Sequence, residues 1–294
     1  MLRVYIALAA FFCGIIPGSG DELFATDVAE ELVLEGKSIL EVKVVVPALP
    51  EDGSRPQAPQ TLPFGVGEKM VFSVTWSGIH AGEATLEVKE LLSYQGHEVF
   101  RIVSTAKTNK FFSVFYKLRD TLESLFDVQG LFSRRYRKVE YNGNQVSNRE
   151  IIFDQEQNMV LYKGKRYYTL PGVQDELSLF YYVRTLDFQV GNSIYMDVFS
   201  SKKNWRVKAN VLRKERITVP AGTFNTIVVE PEIKFDGILK TGNMTLWFTD
   251  DERKIPVKMK SNITIGSIEA NLEKLQLAGT PGEVSDKGDK EEEE

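Results

Sequence analysis

Thiols and imidazoles are what this chain lacks most: its 294 residues include one cysteine, Cys13, and two histidines, His80 and His97. Neither histidine belongs to a metal-ligand spacing such as His-Glu-x-x-His, and one cysteine completes no zinc set. No metal or other cofactor is therefore expected. The Gly-x-Ser-x-Gly elbow of a serine hydrolase is missing, as is a glycine-rich phosphate loop opening a helix. Acids such as Asp120, Glu123, Asp154, Asp175 and Asp236 offer no signal selecting a glycosidase pair, and adjacent Asp250 and Asp251 would point to opposite faces of a strand. The chain is read as a non-enzyme. A basic excess is lacking too. The net charge is −5, and the tail GTPGEVSDKGDKEEEE (279–294), with seven acids and two bases, carries all of it. The rest is neutral overall, against the positive face that phosphate contacts require, so no nucleic-acid partner is expected.

Long apolar runs are also scarce. The longest opens the chain: MLR, then VYIALAAFFCGII (4–16), then PGSG. Thirteen residues fall short of the ~20 that a membrane-spanning helix needs. The pattern predicts a signal peptide over 1–20, cleaved near Gly20, with Gly18 and Gly20 as the small exit residues and a mature chain starting near Asp21. Phe11 and Phe12 before Cys13 do not suit a lipoprotein signal. A chain so processed has no thiol left, and export to an oxidising space without a disulfide leaves its core to hold the fold.

Five of eleven prolines lie between Pro47 and Pro63, which predicts an extended linker over 47–63. It sets off an N-terminal arm (21–46) from a main domain (64–277), which the disordered acidic tail (278–294) follows.

What the main domain does have is a period of two. MVFSVTW puts Met70, Phe72, Val74 and Trp76 on one face, and GEATLEVKE puts Ala84, Leu86 and Val88 on one face. SGIHAG turns between them, so 68–91 reads as a hairpin. About a dozen such runs follow, separated by YQG, VQG, KGK, PAG, TGN and similar turns too short for parallel crossovers. In ITVPAGTFNTIVV, Pro220 and Gly222 meet the demands of a turn feeding a strand, and Pro256 falls where a strand opens. One segment departs from this pattern. PGVQDELSLFYYVRTLDF (171–188) carries a cap at Asp175 and apolar residues nearly all round, predicting a helix over about 174–188 that is covered nearly all round. A mainly β fold results: a curved antiparallel sheet, half-barrel or open barrel, with one helix packed against it.

The phrases FGVGEKMVFSVTWSGIHAGEATLEV, FYKLRDTLESLFDVQGLFSRRY, DELSLFYYVRTLDF, VPAGTFNTIVVEP and WFTDDERKIPVKM, in that order, resemble an uncharacterised family of exported bacterial proteins. The resemblance implies a bacterial envelope location and a sheet similar to the half-barrels of periplasmic lipoprotein carriers. It brings no catalytic residues.

Two features bear on function. Phe111, Phe112, Phe115 and Tyr116, with Phe72, Trp76, Phe180 and Tyr181, line a cavity under the sheet or simply form its core. In RRYRK, Arg134, Tyr136 and Lys138 share one face, so that Arg134 at a cavity rim would grip an anionic head group. The expected ligand residues are Phe72, Trp76, Phe115, Phe180, Tyr181 and Arg134. The leading reading is a periplasmic carrier for a lipid or other amphipathic envelope component. The alternatives are an assembly factor binding an envelope protein and, third, an enzyme acting on envelope glycans.

Overall fold

The computed structural model describes residues 61–114, 117–142, 145–235, 238–240, 244–262 and 266–279. The expected signal peptide, the N-terminal arm, most of the linker and the acidic tail lie outside these residues, as do Phe115 and Tyr116.

Strands dominate. The first half contains β1 (Lys69–Trp76), β2 (Ile79–Tyr94), β3 (His97–Thr108), β4 (Arg119–Asp127), β5 (Ser133–Asn142), β6 (Gln145–Asp154), β7 (Met159–Tyr162) and β8 (Lys165–Tyr168). The second half contains β9 (Ser193–Ser200), β10 (Lys203–Val219), β11 (Gly222–Phe235), β12 (Ile238–Lys240), β13 (Met244–Thr249), β14 (Pro256–Asn262) and β15 (Ser267–Gln276). Two short helices interrupt them, α1 (Lys110–Ser113) and α2 (Ser178–Tyr182), the latter continued by a 3-10 turn, Val183–Thr185.

All but β12 lie along one path, β8-β7-β6-β5-β4-β3-β2-β1-β15-β14-β13-β11-β10-β9, and β12 pairs with β11. Every ladder between these strands is antiparallel. The path has two ends, β8 and β9, so the sheet is not closed into a barrel. It is curved nonetheless. Phe199 of β9 meets Phe153 of β6 at 6.3 Å and Tyr167 of β8 at 6.0 Å between ring centroids, bringing the two edges face to face across the interior. Register shifts at Val88/Glu90 and Val211/Arg213 put a bulge into each of the two longest strands, which bends a strand and raises its twist.

The alternation read from the sequence carries through. Met70, Phe72 and Val74 are buried on β1, opposite Leu86, Ala84 and Gly82 of β2. The PAG turn is a two-residue hairpin in which Val219 faces Gly222, whose φ of 136° suits glycine. Pro256 is the first residue of β14, where a missing N–H costs no ladder bond.

The helix is shorter than the expected 174–188, with α2 covering Ser178–Tyr182 and a 3-10 turn Val183–Thr185. Gln174 forms a parallel bridge to Val198 of β9, and Leu186 is already extended at ψ 156°. Between them Asp175 acts one turn ahead of α2: its Oδ1 accepts from the amides of Leu177 and Ser178 at 2.7 Å, while Ser178 Oγ accepts from the Asp175 amide at 2.9 Å. That reciprocal pair is a capping box in which Ser178 replaces the usual acid. Cover is nearly all round: Leu177, Leu179, Phe180, Tyr181 and Val183 are buried in the one core cluster, and Tyr182 and Leu186 pack against it partly exposed.

Candidate functional site

Strands β4, β5 and β6 share an unusual local property: RDTLESLF, SRRYRKVEYN and QVSNREIIFD carry polar residues on both faces. One row of each must therefore turn inward. Register fixes which: Asp120 faces Glu140, Leu122 faces Lys138, and Lys138 faces Arg149, so these side chains share the concave face with Ser124, Tyr136 and Ile151. Asp120 and Lys138 are almost wholly buried, whereas Arg149 keeps 27% of its side chain in reach of solvent.

The charges are tied together. Glu140 receives Lys138 Nζ at 2.8 Å on one oxygen and Arg149 Nη2 at 2.6 Å on the other. Glu176, from the strap before α2, accepts from Tyr136 Oη at 2.9 Å and from Ser200 Oγ of β9. The strap thus joins β5 in one half of the open sheet to the edge strand β9 of the other through one carboxylate. Burial pushes the Asp120 carboxyl up to about 6 against the pull of Lys138. Burial also raises Glu140, but Lys138 and Arg149 outweigh it and leave the carboxyl below its ordinary range. Burial lowers Arg149, and Glu140 together with Glu176 more than reverses this. Separation of two neighbouring carboxyls is how acid and base pairs are set. Here, however, Asp120 is 2% exposed and Glu140 is committed to two cations. The arrangement suits holding charge in an apolar interior. Beside it, Ser104 Oγ on β3 is buried without a hydrogen-bond partner.

A second buried centre adjoins the first, one residue back along the strap. Asp175 Oδ2 accepts from Ser124 Oγ at 2.6 Å and Ser133 Oγ at 2.5 Å. Burial raises its carboxyl to about 6, and these bonds with the two amides hold it from rising further. Arg184, in the 3-10 turn after α2, is also buried, paired to Glu68 at 2.7 and 2.9 Å and lying over the rings of Phe64 and Tyr181.

The residues expected to hold a ligand are placed as follows. Phe72, Phe180 and Tyr181 fall in one buried apolar cluster, with Trp76 packed partly exposed against it. Tyr181 meets Phe64 edge-on at 4.9 Å, and its hydroxyl is buried without a partner. Phe115 lies outside the described residues. Arg134 is buried at the β4–β5 register shift, which leaves it without a partner in register and breaks the β5 alternation, and its guanidinium binds Asp127 at 2.8 Å and both oxygens of Glu156 at 2.7 and 2.8 Å. An anionic head group there would have to displace Glu156. Sequence reasoning missed Lys138, Glu140, Arg149 and Glu176 as a group. The available signal was the presence of charge on both faces of three neighbouring strands.

Among the described residues no group of three or more His, Cys, Asp or Glu side chains is arranged to hold a metal ion, and no helix is long and apolar enough to cross a membrane.

Residues 71–273 match the family described as a protein of unknown function, DUF3108. The chain belongs to that family. Among solved structures it is similar to a β-barrel-like protein of the DUF1849 family from Brucella abortus, at 11% identity and a TM-score of 0.51, covering 73% of this chain and 99% of that one. A protein of YmcC-like fold from Bacteroides fragilis aligns at 10% identity and TM-score 0.32 over 73% and 98% of the two chains. A DUF1089 family protein from Pseudomonas aeruginosa aligns at 10% and 0.37 over 65% and 93%. The first of these likenesses supports a shared barrel-like fold and nothing about activity. No curated protein matches the chain.

Proposed function

We propose that this is an exported, non-enzymatic binding protein of the bacterial envelope that takes an amphipathic molecule, such as a lipid, into the concave side of its sheet. One observation carries the reading: an ion cluster, Asp120, Lys138, Glu140 and Arg149, set among apolar residues on the concave side and reached by solvent at Arg149. Burying charge in an apolar surround is costly, and replacing such groups with hydrophobic ones is often neutral or stabilising. A polar head group that uses the cluster would account for its retention. Arg149 would receive an anionic or hydroxylated head, and the apolar part would lie along the inward residues of β3 to β7.

Packing supports a second reading. Phe72, Phe126 and Phe199 fill the interior at 0–1% exposure, as a fold would that binds a protein partner and keeps no room for cargo. Native mass spectrometry of protein gently extracted from the envelope separates the two. A retained lipid mass, with a fluorescent fatty-acid probe bound by wild type and weakened in Arg149→Ala, is the expected result. Protein that carries no added mass and binds no probe would overturn the carrier reading in favour of a partner-binding role.

A further inference from the structure

The end of the sheet that bears the β1–β2, β3–β4 and β5–β6 connections is apolar at its tip and cationic around it. Between β3 and β4, Asn109 caps α1 by accepting from the Phe112 amide at 2.9 Å, and Ser113 Oγ donates back to the Asn109 carbonyl at 2.6 Å. The cap is also tied to the neighbouring hairpin, since the Asn109 amide donates to the Ala81 carbonyl and its side chain to the His80 carbonyl. Phe112 is buried against Trp76 at 5.9 Å. This four-residue helix is therefore braced on β2 and presents its outer residues outward. Those residues are large and apolar: Phe111 is 65% exposed and Val114 80%, and Ile79 on the adjoining hairpin is 58% exposed. Tyr141 and Val146, paired across the β5–β6 hairpin at the same end, are exposed as well.

Around them stand cations. Lys110, Lys117 and Arg119 are exposed, and Lys107 pairs with Glu83 at 3.2 Å. A core would have taken Phe111 and Val114 inward, and a purely solvated turn has no use for them. Exposed aromatic and aliphatic side chains ringed by lysine and arginine match the interface of a bilayer with negative surface charge, where apolar groups enter the acyl boundary and cations meet the head groups.

We infer that this tip docks the protein on an anionic lipid surface, with Phe111, Val114 and Ile79 entering the interface and Lys110, Lys117 and Arg119 reading its charge. The inference stands whether or not the interior carries a ligand. Apolar burial gives a component that salt does not screen, and the cations give one that it does.

The test uses the full chain in a Cys13→Ser background, labelled with an environment-sensitive fluorophore at Val114→Cys or, as a control at the opposite end of the sheet, at Tyr168→Cys. Phosphatidylglycerol-containing vesicles should shift the Val114 probe to the blue and leave the Tyr168 probe unchanged, which localises contact even if the N-terminal apolar run binds lipid too. Affinity at this site, read from the same probe, should fall roughly tenfold in Phe111→Ser and about fivefold for each of Lys110→Glu and Lys117→Glu. Only the charge effects should vanish in high salt. These three positions are exposed, so the variants keep the fold, which circular dichroism checks. An unshifted Val114 probe, equal shifts at both ends, or undiminished affinity in Phe111→Ser would overturn the inference. Self-association of wild type that Phe111→Ser abolishes, without any vesicle shift, would overturn it too and assign the tip to a second copy.

Discussion

A single buried ring tests what the interior is made of. Phe180 is 4% exposed and Phe72 is fully buried, both within the same apolar cluster. Truncation of either to Ala should cost about 3–5 kcal/mol, read from the urea midpoint, because the cavity left behind relaxes only in part. A loss well under ~1 kcal/mol would mean that those rings already face solvent or a mobile occupant. Titration gives a second residue-scale prediction. Asp120 and Asp175 have carboxyls raised from 3.8 to about 6 in the fold. The folded state therefore binds protons more tightly than the unfolded one. Their contribution to stability is full below 3.8 and is lost as pH rises through about 6. Glu123 and Glu140 are lowered from 4.5, so theirs is present above that value and lost as pH falls through their depressed range. The melting temperature should accordingly rise by a few degrees from pH 7.5 to pH 5 and fall again in stronger acid. Asp120→Asn should flatten the upper part of that profile, and an unchanged slope would show that Asp120 ionises normally.

At the scale of elements, the joints matter more than the strands. Arg184, just after α2, reaches Glu68, just before β1, and also donates to the carbonyls of Pro63 and Arg253. The segment before β1, the turn after α2 and the loop before β14 thus meet at one guanidinium. Glu68→Gln should cost about 3–5 kcal/mol, since it strands a buried charge. The double replacement Glu68→Leu with Arg184→Met should recover much of the loss, and thermal melts of the two variants check the pair. Gly82 is a second joint. It sits at the β1–β2 register shift, where an added Cβ would come within 2.1 Å of the Lys107 carbonyl oxygen. Gly82→Ala must push β3 away, and lower stability with altered amide shifts in β3 is the expected result. Much of this scale was legible beforehand. Period-two alternation located the β1–β2 hairpin and most later strands, and PAG was read as a turn. KRYY of β8 was not, because an edge strand with mostly exposed residues has no buried face to impose alternation. The helix was read too long because apolar residues on every side look alike whether a helix or an extended strap buries them. The ion cluster was hidden for a related reason: with charge on both faces of β5, pattern alone cannot tell inward Lys138 from outward Arg137.

For the whole molecule the ladder between β1 and β15 is decisive, since it lies mid-path and joins the two halves of the sheet. Amides of β1, β2, β14 and β15 should be the slowest to exchange with deuterium, and those of β8, β9 and α1 the fastest. Slow exchange in β8 would place the stability elsewhere. The same ladder bears on how the protein is born. Lys69 must wait for Gln276, its partner in register, and a ribosome adding ~5–20 residues per second needs roughly ten to forty seconds to supply it. Throughout that interval β1 has an unpaired edge that any other extended chain could occupy. A chain that stops short of β15 should therefore aggregate more readily than the full chain, which light scattering of the two at equal concentration checks.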